Sequence, residues 1–217
     1  MLCAAVLGAM ALAPARAAVV TFEDVTPNFF APGETFQSGG FTFAPLSGFT
    51  DVDNASAYFF ANAPTGNATQ FAGVFNDGSV SMSTGNGKIF QLTRLDFGFV
   101  SPIGGLGSTS PGRLVLLASL AAGGLVSDSF DFGPADANGD FAFHTTTSGS
   151  VIDGRLLSSL TFSACLYDSS NVCVNPASDQ AQFAIDNLVT QVPEPASLAL
   201  VAVALLFGGT ARRRKIH

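Results

Sequence analysis

Acidic and amide side chains carry most of the chemistry this chain could offer. Asp136-Ala137-Asn138-Gly139-Asp140 spaces its oxygen donors as a calcium loop begins. It lacks the bidentate Glu that closes such a loop, and its glycine stands too early. It reads as a polar turn, and Asp51-Val52-Asp53-Asn54 reads as a loop. Acid pairs hydrolyse glycosides only when held across a cleft, and no spacing here selects one pair. His144, inside a strand pattern, is the one imidazole of residues 18–192 and reads as structural or exposed. There is no G-x-S-x-G elbow, phosphate loop or dinucleotide fingerprint. The chain therefore reads as a non-enzyme. For sugar stacking, tyrosine and tryptophan suit a wet site best. Only Tyr58 and Tyr167 are present, and Tyr58-Phe59-Phe60 is the best exposed-aromatic candidate, with a core strand as the other reading.

The elements that must position these groups are bounded by composition. Of 217 residues, 47% are hydrophobic and only 12% charged, about half the charge of an average soluble domain. The long apolar stretches lie at the two ends. Residues 1–17 end in Ala15-Arg16-Ala17, the small-x-small pattern before a signal-peptidase cut, which would leave Ala18 as the new terminus. No Lys or Arg precedes Arg16, which points to a true start upstream. At the other end, Pro193-Glu194-Pro195 precedes an apolar stretch through Phe207 and a basic stop of Arg212, Arg213, Arg214 and Lys215. This predicts a single transmembrane helix with its basic end in the cytoplasm and the preceding chain outside.

Without those ends, residues 18–192 hold fifteen acidic residues against Lys88, Arg94, Arg113 and Arg155, a formal charge of −11. That excludes nucleic acid as a partner and permits divalent cations and neutral glycans. Export into an oxidising compartment predicts a disulfide between Cys165 and Cys173. Closing so short a loop stabilises by roughly 2.5 kcal/mol on the chain-entropy estimate.

Between the ends, apolar residues alternate with polar ones in short runs separated by Gly, Asn, Asp, Ser and Pro. Strands are predicted at Val19–Glu23, Gly40–Phe43, Leu160–Ser163 and Phe183–Asp186, with further alternation at Phe141–His144. Asn76-Asp77-Gly78 predicts a hairpin turn between 70–74 and 80–83. Ala121-Ala122-Gly123-Gly124 predicts a second hairpin, between 113–120 and 125–132, with a buried helix from Leu114 as the competing reading. Residues 88–100 carry two apolar phases, which a bulge near Thr93 would reconcile. The chain has 21 Phe and no Trp, and alternating Phe is core material between two sheets. The expectation is an all-β sandwich over residues 18–190.

The tail, residues 192–217, closely resembles the PEP-CTERM sorting signal, carried here by Pro193, Glu194 and Pro195, the apolar stretch and the basic stop. The resemblance implies recognition by an exosortase and only transient anchoring in the membrane. Gln182, Phe183 and Asp186, following the cysteine pair, resemble the QFxxD group of PEP-CTERM proteins. The Phe22-Glu23 opening and the Asp186-Asn187 closing strand also resemble jelly-roll carbohydrate-binding modules. That second resemblance implies a structural calcium ion shared by Glu23 and Asp186. Together these readings give an exported jelly-roll sandwich sorted to the cell surface or extracellular matrix. Its role would be structural or adhesive, in exopolysaccharide or biofilm. A carbohydrate-binding module with a defined glycan is the alternative, and a glycan-active enzyme the third choice.

Overall fold

A computed structural model of the chain describes residues 16–102, 111–146, 150–174 and 179–193. The remaining residues lie outside this description. They include residues 1–15 of the predicted signal peptide, Glu194 and Pro195 of the sorting motif, and the apolar stretch and basic stop.

Fourteen strands form among the described residues, with one 3-10 turn at Ala55–Ala57. Twelve join one curled antiparallel sheet. At its centre, β4 (Phe41–Asp53) pairs with β6 (Phe71–Thr84) along almost their whole lengths. On the side of β4 away from β6 lie β2 (Asn28–Phe30) and β3 (Phe36–Ser38). The other edge of β6 is shared. Its second half pairs with β12 (Leu157–Tyr167), and its first half with β14 (Phe183–Val192). From β12 the sheet runs on to β9 (Gly112–Leu120) and β10 (Leu125–Asp131). From β14 it runs to β7 (Gln91–Phe99) and β11 (His144–Thr145). β1 (Arg16–Val20) pairs with the second half of β14, and β13 (Cys173–Val174) with the end of β12. β5 (Ala61–Asn62) and β8 (Ser101–Pro102) form a separate short pair.

The curl has a local cause. The β4–β6 register shifts twice between Pro45 and Phe49. Opposite, Asn76 and Asp77 take left-handed backbone, φ 59° and 50°. Gly48 (φ +61°) is obligatory, because a Cβ there would stand 2.0 Å from the Phe75 carbonyl oxygen. The predicted hairpin at Asn76-Asp77-Gly78 is thus a bend within one continuous strand. Asn and Asp tolerate the left-handed region, and β4 bends in step, so the ladder resumes beyond the kink instead of reversing.

The curl brings inward faces from both halves onto one core. Phe43, Val80, Met82, Leu114, Leu116, Leu160 and Phe162 meet Val74, Phe97, Phe99, Phe183 and Ile185 there. A second, smaller cluster lies on the opposite face of the first half of β6. Phe71 and Phe75 pack there under Tyr58 and Ala61. That is why residues 71–75 are buried without alternation. The Ala121–Gly124 hairpin forms as predicted, with Gly123 and Gly124 at φ +91° and +92°. The Thr93 bulge also forms, since Val189 pairs with Arg94 while Thr190 pairs with Leu92. The Thr93 hydroxyl donates to the Val189 carbonyl at 3.0 Å. The first strand ends at Val20, before the predicted Glu23. Around Phe141–Phe143 there is only a bridge from Ala142 to Thr65, because that segment crosses toward β11. Cys165 and Cys173 are joined, Cα atoms 5.5 Å apart, closing the β12–β13 hairpin.

Replacing Gly48 with Ala combines left-handed strain with a backbone collision, and should cost about 3 kcal/mol or more in urea denaturation. Gly33→Ala, also at positive φ (+94°) but facing open space, should cost only about 1–2 kcal/mol.

Candidate functional site

Glu23, Asp96 and Asp186 lie near one another where the chain's first turn meets its last strand. Beyond β1, Phe22 takes a left-handed conformation, φ 59°, unusual for an aromatic residue. Its ring is fully buried, packed at 5.2 Å from Phe43 and 6.3 Å from Phe36. This anchor fixes the turn that follows and so places Glu23. Asp24 steadies the same turn by accepting from the Ser38 hydroxyl at 2.6 Å and the Gly39 amide at 2.9 Å.

Asp186 sits on β14 directly across from Asp96 on β7. A register shift follows it, where Asn187 is left-handed (φ 49°) and donates its amide to Asp96 Oδ2 at 2.9 Å. Asp186 is wholly buried. Its Oδ2 accepts from Asn67 Nδ2 at 2.7 Å, and its Oδ1 has no hydrogen-bond partner. Glu23 reaches the same segment, accepting from the Gln70 amide at 2.6 Å. Residues 67–70 thereby bring Glu23 and Asp186 together. Asn67 Oδ1 is itself held by the Thr69 amide and hydroxyl.

The electrostatics follow. Burial, with the charges of Asp96 and Glu23, raises the Asp186 carboxyl to about 6, against hydrogen bonds from Asn187 and Asn67 that lower it. A buried carboxylate with one unmet oxygen and acidic neighbours is poorly stabilised alone. Such a group suits a hard cation with oxygen ligands. Among the described residues no three His, Cys, Asp or Glu side chains converge as a metal cluster. An ion here would rely on Glu23 and Asp186 with neutral oxygens around them. The donors fit calcium in kind, and the orphaned Oδ1 is the observation that favours it.

The QFxxD residues have separate structural jobs. The Gln182 amide donates to the Asp179 carbonyl at 2.7 Å. Phe183 fills the core, and Asp186 belongs to the acidic pair. Asn67, Thr69 and Asp96 are not marked by the sequence, and Asn187 is marked only as part of the closing strand. The Asp186-Asn187 pair was a usable signal for the bulge, but nothing in the sequence joins residue 67 to residue 186.

Other expected residues fall elsewhere. The Asp136 turn satisfies itself, its Oδ1 accepting from the Asn138 and Asp140 amides at 2.8 and 3.0 Å. Asp51 is not in a loop. It lies buried within β4, and burial together with the Asp53 charge raises its carboxyl to about 6. Tyr58 is not an exposed platform. It is core, its hydroxyl donating to the Asp51 carbonyl at 3.2 Å, while Phe59 beside it is 85% exposed. The tyrosine turns inward because Phe71 and Phe75 need a cover. His144 is exposed on edge strand β11.

The PEP-CTERM protein-sorting motif matches residues 191–215. It bears out the sorting reading of the tail and implies processing by an exosortase, consistent with export and surface sorting. No curated protein matches the chain. Among solved structures, 84% of the chain aligns with an arabinose-bound α-L-arabinofuranosidase, at 12% identity and TM-score 0.44, and covers 27% of that protein. The C-terminal family 22 carbohydrate-binding module of Clostridium thermocellum Xyn10B aligns with 81% of this chain and over 92% of its own length, at 13% identity and TM-score 0.38. A xylan-binding domain of the same module family aligns with 81% of this chain and over 93% of its own length, at 13% identity and TM-score 0.39.

Because Asp51 and Asp186 bind protons more tightly folded than unfolded, their contribution to stability is complete below about pH 4 and lost as pH rises through about 6. In chelator-treated protein, thermal melts should therefore show a decline across that window. Asp186→Asn should flatten the decline and raise the melting temperature above pH 6.

Proposed function

We propose that this is an exported, non-catalytic surface protein whose domain takes a structural or adhesive place in an exopolysaccharide matrix or biofilm. The observation that carries the reading is the junction of domain and tail. The sorting motif covers residues 191–215 and begins as β14 ends at Val192. Leu188, the last fully buried apolar side chain among the described residues, comes before it. An exosortase can then remove the tail without touching the core, after the transmembrane helix has held the domain briefly at the membrane. At the other end, a signal-peptidase cut after Ala17 leaves Ala18–Val20 paired with Leu188–Thr190, so β1 keeps most of its ladder. The domain belongs, on this reading, to the QFxxD group and is a sandwich of jelly-roll type.

Within it, calcium joins the first turn to the last strand through Glu23 and Asp186. The ion's contribution is structural. It would supply the positive charge that the buried Asp186 carboxylate lacks and tie the turn at Glu23 to β14. A glycan ligand of the domain's own is the second reading, favoured by an open cleft between edge strands β10 and β11.

Two measurements test this. Surface-isolated protein from an exosortase-positive host should have a mass lacking the tail, and an intact tail there would refute processing. Millimolar calcium should raise the melting temperature at pH 7, chelator should reverse it, and Glu23→Gln or Asp186→Asn should each abolish the rise. Calorimetry showing no calcium binding would end the calcium assignment while leaving the sorting reading intact.

A further inference from the structure

The curled sheet ends in two edge strands, β10 on one side and β11 on the other. Between them opens a cleft of about 360 Å³ lined by Phe97, Phe130, Arg113, Asp131, His144 and Thr145. That volume is at the small end of ligand pockets, and the lining is amphipathic. Phe97 and Phe130, ring centroids 5.9 Å apart, give it an apolar floor.

One wall is a preset polar group. Arg113 Nη2 and Nε donate to Asp131 Oδ1 at 2.7 and 2.8 Å, and the Tyr167 hydroxyl donates to the same oxygen at 2.5 Å. The guanidinium lies 5.4 Å over the Tyr167 ring. All three donors converge on Oδ1, which leaves Oδ2 to accept from something else. The Tyr167 hydrogen bond, helped by Arg113, holds the Asp131 carboxyl below its usual range, so it stays ionised. Tyr167 is itself placed by the disulfide-closed β12–β13 hairpin, paired across from Cys173. The opposite wall carries His144 and Thr145. Gly133 makes room for the imidazole, since a Cβ there would stand 1.9 Å from His144 Nε2.

We propose that this cleft binds a neutral glycan, seating a sugar ring's C–H face on Phe130 while its hydroxyls bond to Asp131, Arg113 and His144. The chemistry selects this class. A sugar pairs an apolar face with several hydroxyls, which is what a phenylalanine floor between carboxylate, guanidinium and imidazole can meet together. An anionic polymer is disfavoured, because Arg113 is neutralised by Asp131 and residues 18–192 carry a charge of −11. The wall's groups are already locked to one another, which lowers the entropy lost on binding. Tyr167 is a positioning residue that acts through Asp131. The proposal rests on the matrix reading, and supplies the adhesive contact that reading needs.

The test is a titration of the full chain, purified in detergent, with neutral and uronic-acid oligosaccharides, by calorimetry and on a glycan array. Neutral oligosaccharides should bind. Asp131→Asn, His144→Ala and Gly133→Ala should each weaken binding, Asp131→Asn by about tenfold or more, as expected for losing a charge-assisted hydrogen bond. Melting temperature and far-UV circular dichroism report whether each variant folds, and the exposed His144→Ala change serves if Asp131→Asn does not. Binding untouched by these changes, or absent altogether, would overturn the cleft assignment. A preference for uronic acids lost in Arg113→Ala would overturn the neutral class. If the protein still fractionates with exopolysaccharide when the cleft is silent, only the cleft proposal fails. If it never reaches the surface, the matrix reading fails.

Discussion

The kink in the β4–β6 ladder is the constraint on which the other features depend. Two long antiparallel strands of thirteen and fourteen residues would, if straight, give a wide sheet with one wet face. That would leave the chain's phenylalanines without cover. The paired irregularity at Gly48 and Asn76–Asp77 turns both strands at one point. β12 continues from one side of the kink and β14 from the other. Each half then supplies the apolar face that the other must bury. At roughly 25 cal/mol per Å² of buried apolar area, the meeting of these faces stabilises the closed sheet.

How much of this the sequence discloses depends on range. Period-two alternation marks Phe41–Phe43 and Leu160–Phe162 as strands because one face of each is half-wet, and it marks Phe183–Ile185 only by side-chain size, since Ala184 is buried too. It fails at Phe71–Phe75, which is covered on both faces. Asn76-Asp77-Gly78 carries the residue types of a hairpin turn, and they serve as a kink. Local backbone preference is the same in both cases, and only the distant partner β4 decides between them. The short bulge at Thr93 was legible because its apolar phase change is written in neighbouring residues.

The acidic site shows the same division. Glu23 and Asp186 could be named because they stand where the resemblance to jelly-roll modules implies a paired acid. Their surroundings could not, since Asn67 and Gln70 reach them across separations of 119 and 47 residues. The choice for Tyr58 between exposed aromatic and core was decided only by the packing over Phe71 and Phe75. Charge is legible as a sum and illegible as a pattern. A total of −11 for residues 18–192 says nothing of Asp186 enclosed beside Asp96, or of Arg113 spending its charge on Asp131.

β14 is flanked on one side by β7 and on the other by β6 and then β1. The sorting tail leaves the domain from the end of this strand. A pull on the chain beyond Val192 would therefore run along β14 and load its flanking ladders in shear. Hydrogen bonds loaded this way share the force and must fail together, unlike bonds peeled one at a time from a sheet edge. The strand that runs into the sorting motif is thus one whose ladders would bear such a load together.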